Sequence, residues 1–113
     1  MKKIRTLGIM VVLVLALAIS ASALTPIFSS KTVNSGGVTI TQTKCVNSGT
    51  TASATYYLYN AGGDYSSKTL KGGTTSNPVS GTVKPKYAYY GKAHTLYVEK
   101  GSGVSLNYTY TIN

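Results

Sequence analysis

Val104-Ser105-Leu106-Asn107-Tyr108-Thr109-Tyr110-Thr111-Ile112 alternates apolar and polar side chains without a break. Successive side chains leave a pleated backbone on opposite sides, so this period of two describes a strand with one face on a core and the other in water. Val104, Leu106, Tyr108, Tyr110 and Ile112 are expected inside; Ser105, Asn107, Thr109 and Thr111 are expected outside.

Applied upstream, the same test puts Leu96 and Val98 inside and Tyr97 outside with Thr95 and Glu99. Ala54, Tyr56 and Leu58 share one face of the preceding candidate, and Thr55, Tyr57 and Tyr59 share the other. In Val79 to Tyr90, Val83, Pro85, Tyr87 and Tyr89 fall on one parity, against Lys84, Lys86 and Tyr90. Pro85 has no ladder donor, which marks an edge or a bulge, and a bulge would exchange the faces beyond it. Val38 to Val46 is ambiguous. If Val38 and Ile40 point inward along a regular strand, Cys45 is exposed, whereas a bulge near Gln42 buries Cys45 and releases Lys44.

Between these segments lie Gly-, Asn- and Ser-rich turns, and Gly62-Gly63 and Gly72-Gly73 read as hairpin glycines. About seven strands are expected: Ile27 to Val33, Val38 to Val46, Thr51 to Tyr59, Tyr65 to Lys71, Val79 to Tyr90, Ala93 to Glu99 and Val104 to Ile112. Short strands at this spacing predict an all-β domain, a small antiparallel β-sandwich of immunoglobulin-like size or a barrel.

The start of the chain reads differently. Lys2, Lys3 and Arg5 precede an apolar run from Leu7 to Ile19 that ends in Ser20-Ala21-Ser22-Ala23. A basic start, a short apolar stretch and a small-residue exit are those of a bacterial-type secretory signal peptide, cleaved after Ala21-Ser22-Ala23. Residues 1–23 are thus assigned to export and 24–113 to a single secreted domain. An uncleaved anchor is the competing reading, but a spanning helix needs about 20 predominantly apolar residues and the strongly apolar part stops at Ile19.

Eight lysines against Asp64 and Glu99 give residues 24–113 a net charge of +6. A basic exported protein meets anionic polymers first: envelope glycopolymers, lipid headgroups, extracellular nucleic acid. Lysines also guard strand edges and keep a tyrosine-rich domain soluble. With one cysteine, Cys45, no bridge within the chain can form; the thiol is either buried as a small hydrophobe or paired between molecules.

The sequence points away from an enzyme. Cys45 with His94 lacks any flanking motif, Asp64 and Glu99 sit where turn and surface roles suffice, and no phosphate loop, metal-ligand set or cofactor motif occurs. The tyrosines are more informative: ten, with Phe28 and no tryptophan. Tyr56, Tyr87, Tyr108 and Tyr110 fall on expected inner faces. Tyr57, Tyr59, Tyr90 and Tyr97 fall on outer faces and, with Lys84 and Lys86, make a candidate binding surface in which rings stack and ammonium groups take anions. Ordinary cross-strand aromatic pairing would use the same residues.

Two functions follow from these expectations. One is a secreted module binding anionic cell-envelope polymer or a membrane surface, with a bacteriocin-like antimicrobial role as a special case; it requires no cofactor and no specific nucleic acid partner. The other is an extracellular structural protein, a homo-oligomer joined through strand edges or through Cys45.

Overall fold

A computed structural model of the chain describes residues 23–87 and 91–113. Among them there is no helix, and the regular structure is eight strands: β1 (Ala23–Thr32), β2 (Val38–Asn47), β3 (Thr50–Thr51), β4 (Ser53–Asn60), β5 (Tyr65–Lys71), β6 (Val79–Val83), β7 (Ala93–Lys100) and β8 (Ser105–Ile112). The segment assigned to export lies outside the described residues except for its last position, Ala23, where β1 begins.

All ladders are antiparallel. One sheet runs β1-β7-β4-β5; in the other, β2 carries β8 on one side and β6 with the short β3 on the other. The two sheets share one core, built from Phe28, Ala54, Tyr56, Leu58, Leu70, Leu96 and Val98 of the first and Val38, Ile40, Cys45 and Val83 of the second. Polarity alternates along β4 and β7 as the sequence predicts: Ala54, Tyr56, Leu58, Leu96 and Val98 are buried, and the residues between them are not.

The ambiguity in β2 resolves through a bulge. The register with β8 shifts between Gln42 and Lys44, so Gln42 and Cys45 are both fully buried while Lys44 is exposed. Gly72-Gly73 fits against this irregularity: Gln42 Nε2 donates to the Gly72 carbonyl (2.5 Å), and the Cys45 N–H donates to the Gly73 carbonyl (3.3 Å). These glycines are not at a hairpin. They join β5 in one sheet to β6 in the other, and a Cβ on Gly73 would meet the Gln42 carbonyl oxygen at 2.7 Å. The β4–β5 turn, by contrast, is a hairpin, in which Asn60 Oδ1 accepts from the N–H groups of Gly62 (2.9 Å) and Asp64 (3.0 Å).

Three further expectations change. The segment Thr51 to Tyr59 is two strands, because at Ala52 the chain changes sheets: its N–H donates to Cys45 and its carbonyl accepts from Gly72. The strand from Val79 ends at Val83, and beyond the buried Pro85 the alternation lapses, leaving Tyr87 exposed rather than inside; Tyr89 is outside the described residues. In β8 the inner face is the expected one but is incompletely covered. Val104, just before the strand, is buried, whereas Leu106, Tyr108 and Ile112 are half-buried and Tyr110 is 37% exposed.

Candidate binding surface

Because Tyr56 and Leu58 point into the core, their neighbours Tyr57 and Tyr59 must stand on the outer face of the β1-β7-β4-β5 sheet. Register brings two more rings to them. Tyr97 of β7 lies opposite Tyr57, and Tyr65 of β5 lies opposite Tyr59 across the hairpin. Ring centroids are 4.9 Å apart for Tyr59–Tyr65, 5.4 Å for Tyr59–Tyr97, 5.5 Å for Tyr57–Tyr65 and 6.3 Å for Tyr57–Tyr59. These are the offset and edge-to-face separations that aromatic quadrupoles favour. Tyr57, Tyr59 and Tyr97 are half-buried and Tyr65 is exposed, so the cluster presents ring surface to solvent.

One carboxylate belongs to this surface. The Tyr57 hydroxyl donates to Glu99 Oε1 at 2.6 Å. Burial, the hydrogen bond to Glu99 and the carboxylate's negative charge all push the Tyr57 phenol well above its ordinary range. Burial, then the neighbouring Tyr65 and Tyr97, raise Tyr59 as well. Both rings thus stay neutral hydrogen-bonding groups at physiological pH. Beyond Glu99, Thr55 and Thr69 pair hydroxyl to hydroxyl at 2.9 Å across β4 and β5.

At the other end of the cluster, where β4 turns after Tyr59 and β7 begins, a depression of about 360 Å³ is lined by Asn60, Ala61, Gly62, Lys92 and Ala93. Lys92 lines it, beyond the Tyr59 end of the aromatic row.

Of the residues singled out in the sequence, Tyr57, Tyr59 and Tyr97 come together, and Tyr90 is outside the described residues. Lys84 and Lys86 are exposed on the segment after β6. That segment meets β5 on the face opposite the patch, since Ser66 Oγ, which pairs with the core-facing Leu58, donates to the Lys84 carbonyl. Lys86 Nζ lies 5.5 Å from the Tyr87 ring centroid. Tyr65 and Lys92 were not singled out. Tyr65 was legible in retrospect, because a hairpin closed over Asn60 to Asp64 must set Tyr59 against it; Lys92 needed the three-dimensional path of the turn.

Cys45 is fully buried and free, with its thiol pushed up by burial against a smaller opposing influence of Lys100. A bridge between molecules through it would require the β2 bulge to open. His94, also buried, places Nδ1 2.9 Å from the Lys92 carbonyl oxygen, and its Nε2 has no hydrogen-bond partner among the described residues. Among those residues no group of three or more His, Cys, Asp or Glu is placed to hold a metal ion.

The architecture is that of an all-β protein of two antiparallel sheets bearing an aromatic outer surface. No protein-family model, curated protein or solved structure matches this chain.

Proposed function

We propose that this is a secreted bacterial binding module: a β-sandwich of immunoglobulin-like size, released by cleavage after Ala23, that holds an anionic cell-envelope or extracellular polymer. The observation that carries this reading is the Tyr57-Tyr59-Tyr65-Tyr97 cluster on an outer face, where the rings lie outside the core. Aromatic faces stack on sugars or bases, and solvent-facing clusters of this kind mark binding surfaces more often than scattered exposed rings do. Lys92, lining the depression beyond Tyr59, can take an acidic substituent, and Lys84 and Lys86 add positive field near the β5 edge. Glu99, held by Tyr57, accepts hydroxyl donors, which suits a hydroxyl-rich chain with spaced charges rather than a densely anionic one. Growth inhibition of a competing cell would be one consequence of such binding.

The test is titration against wall glycopolymer, anionic vesicles and DNA at low and high salt. Exposed charges are screened beyond about 8 Å at physiological ionic strength, while stacking survives. Lys84→Ala with Lys86→Ala, and separately Lys92→Ala, should flatten the salt dependence; Tyr97→Ala should weaken binding at every salt concentration. Failure to bind all three ligands at low salt removes the proposal.

A further inference from the structure

The sheet opposite the tyrosine surface ends in β8, whose only strand partner among the described residues is β2. Backbone contacts along β2 show which β8 groups remain free. The Asn113 N–H donates to the Gly37 carbonyl, so odd-numbered residues at this end direct their peptide groups toward β2. At the far end Cys45, opposite Leu106, uses its N–H on Gly73 and its carbonyl on Ala52, so it offers none to Leu106. The alternation of an antiparallel ladder then points the N–H and C=O groups of Leu106, Tyr108, Tyr110 and Ile112 out from the open edge.

Open edges are normally guarded by charge, proline or bulges. Here β1 has Pro26, Lys31 and two register shifts; β5 has Lys68 and Lys71; β6 is five residues long between Pro78 and Pro85. By contrast β8, Ser105–Ile112, has no charge, no proline and no irregularity on its own side of the ladder. It is also the strand whose core-facing residues are incompletely covered, with Tyr110 stacked on Phe28 at 5.3 Å and still 37% exposed.

The geometry points to β8 as a self-pairing strand, and to a second copy of this chain as its partner. Positively charged copies repel over most of their surface, and an uncharged edge is where they approach most easily. Two-fold symmetry fixes the register. With the axis perpendicular to the sheet, inward side chains oppose inward ones only if a residue pairs with its own copy. Centring on Thr109 uses the whole strand: Leu106 meets Ile112 of the partner subunit and Tyr108 meets Tyr110 of the partner subunit. Those are the residues with free peptide groups, so each pair exchanges both hydrogen bonds, and the half-covered apolar stripe becomes continuous across the dimer. Thr109 faces its own copy as a non-hydrogen-bonded pair on the solvent side. This interface uses the other sheet and stands independently of the polymer reading.

Sedimentation equilibrium of the exported chain should show a monomer–dimer equilibrium that reductant does not alter. In the symmetric pair the two Thr109 Cα atoms lie about 4.5 Å apart, within disulfide range. Thr109→Cys should therefore form a disulfide dimer under mild oxidation, whereas Asn107→Cys or Thr111→Cys alone should not, and an equimolar mixture of those two should. Thr109→Lys, on an exposed position that leaves the fold intact by circular dichroism, should weaken association about five- to tenfold at low salt and less at high salt. A monomer at every concentration up to about 1 mM would overturn the proposal. So would Thr109→Cys cross-linking no faster than Asn107→Cys, or dimers that survive Thr109→Lys unchanged.

Discussion

Tyr56 and Gln42 make the sharpest stability prediction, because they carry a polar link through the core from one sheet to the other. Both are fully buried; the Tyr56 hydroxyl donates to Gln42 Oε1 at 2.9 Å, and Gln42 Nε2 donates to the Gly72 carbonyl at 2.5 Å. The chain of bonds runs from β4 in one sheet through β2 in the other to the β5–β6 connection. Tyr56→Phe removes one hydroxyl, makes almost no cavity, and strands Gln42 Oε1 away from water. Leaving a buried acceptor unpaired costs about 1–3 kcal/mol, against about 1 kcal/mol for a typical hydrogen bond whose two partners are replaced together. In a domain of this size each 1 kcal/mol lowers the melting temperature by about 4–8 °C, so a fall of roughly 5–20 °C is expected. Gln42→Met strands two groups, the Tyr56 hydroxyl and the Gly72 carbonyl, and should cost at least as much. In the double variant the Tyr56–Gln42 mismatch disappears, so its loss should fall short of the sum of the single losses by about 1 kcal/mol or more. Urea denaturation of the four proteins, with unchanged dependence on denaturant as the sign of a common fold, supplies the cycle. Additive losses, or a Tyr56→Phe change below about 0.5 kcal/mol, would refute the view that this link is closed and dry.

Other expectations follow from particular contacts. Gly73→Ala should destabilise by about 1–3 kcal/mol in the same denaturation assay, since φ is +97° there and the added Cβ would lie 2.7 Å from the Gln42 carbonyl oxygen. Leu106→Asp should lose the β signal in circular dichroism or its cooperative melting, whereas Asn107→Asp on the opposite face should be mild; equal tolerance would mean the faces of β8 are reversed. The phenols of Tyr56, Tyr57 and Tyr59 are raised above their ordinary 10.0 in the folded chain, so the folded state holds more protons than the unfolded one above that pH. Their contribution to stability is complete below about pH 10 and is lost as pH rises beyond it, which spectrophotometric titration combined with melting curves will show. Glu99→Gln should lower the Tyr57 phenol toward its ordinary value, because it removes the negative charge while keeping a hydrogen-bond acceptor.

Much of the architecture was legible because one physical rule, side-chain alternation, operates wherever a strand has one wet face. It placed Tyr56 and Leu58 inside with Tyr57 and Tyr59 outside, and it offered the two outcomes for Cys45 between which the bulge after Gln42 decides. It failed where alternation ceases to carry information. Past Val83 the chain leaves the ladder at Lys84-Pro85, so counting parity on to Tyr87 had no sheet to refer to. At Ala52 the alternation passes unbroken through a change of sheet that depends on Gly72, which lies 20 positions along the sequence and which local pattern does not reach. The candidate surface shows the same division. Tyr57, Tyr59 and Tyr97 were found one strand at a time, but their meeting is a fact of register, set by the β4–β5 hairpin and the β4–β7 ladder.

Register also explains why the two outer faces of this protein offer different chemistry. On the β4 sheet, tyrosines occupy outward positions on three adjacent strands, and cross-strand neighbours about 5 Å apart let the rings form one continuous surface. On the β2 sheet the corresponding positions are threonines and serines: Thr39 meets Thr82 at 3.0 Å, Thr41 meets Ser80 at 2.9 Å, and Asn113 Nδ2 donates to Thr39 Oγ1 at 2.7 Å. Those hydroxyls engage one another, leaving a largely self-satisfied face with little ring surface for a ligand to stack on, its charge Lys44 standing at the bulge opposite Asn107. The edge strand β8 itself presents no charged side chain to an approaching copy. The proposed stacking on one sheet and the proposed edge pairing on the other therefore do not compete for residues. A dimer joined at β8 would carry two tyrosine surfaces, and a long polymer reaching both would be held more tightly than by either alone, provided its length spans the pair. Thr109→Lys separates these effects: affinity for a short oligomer of the polymer should be unchanged within error, while affinity for the long polymer should fall. An equal fall for both lengths would show that Thr109 acts on the binding surface itself and that the two sheets are not independent.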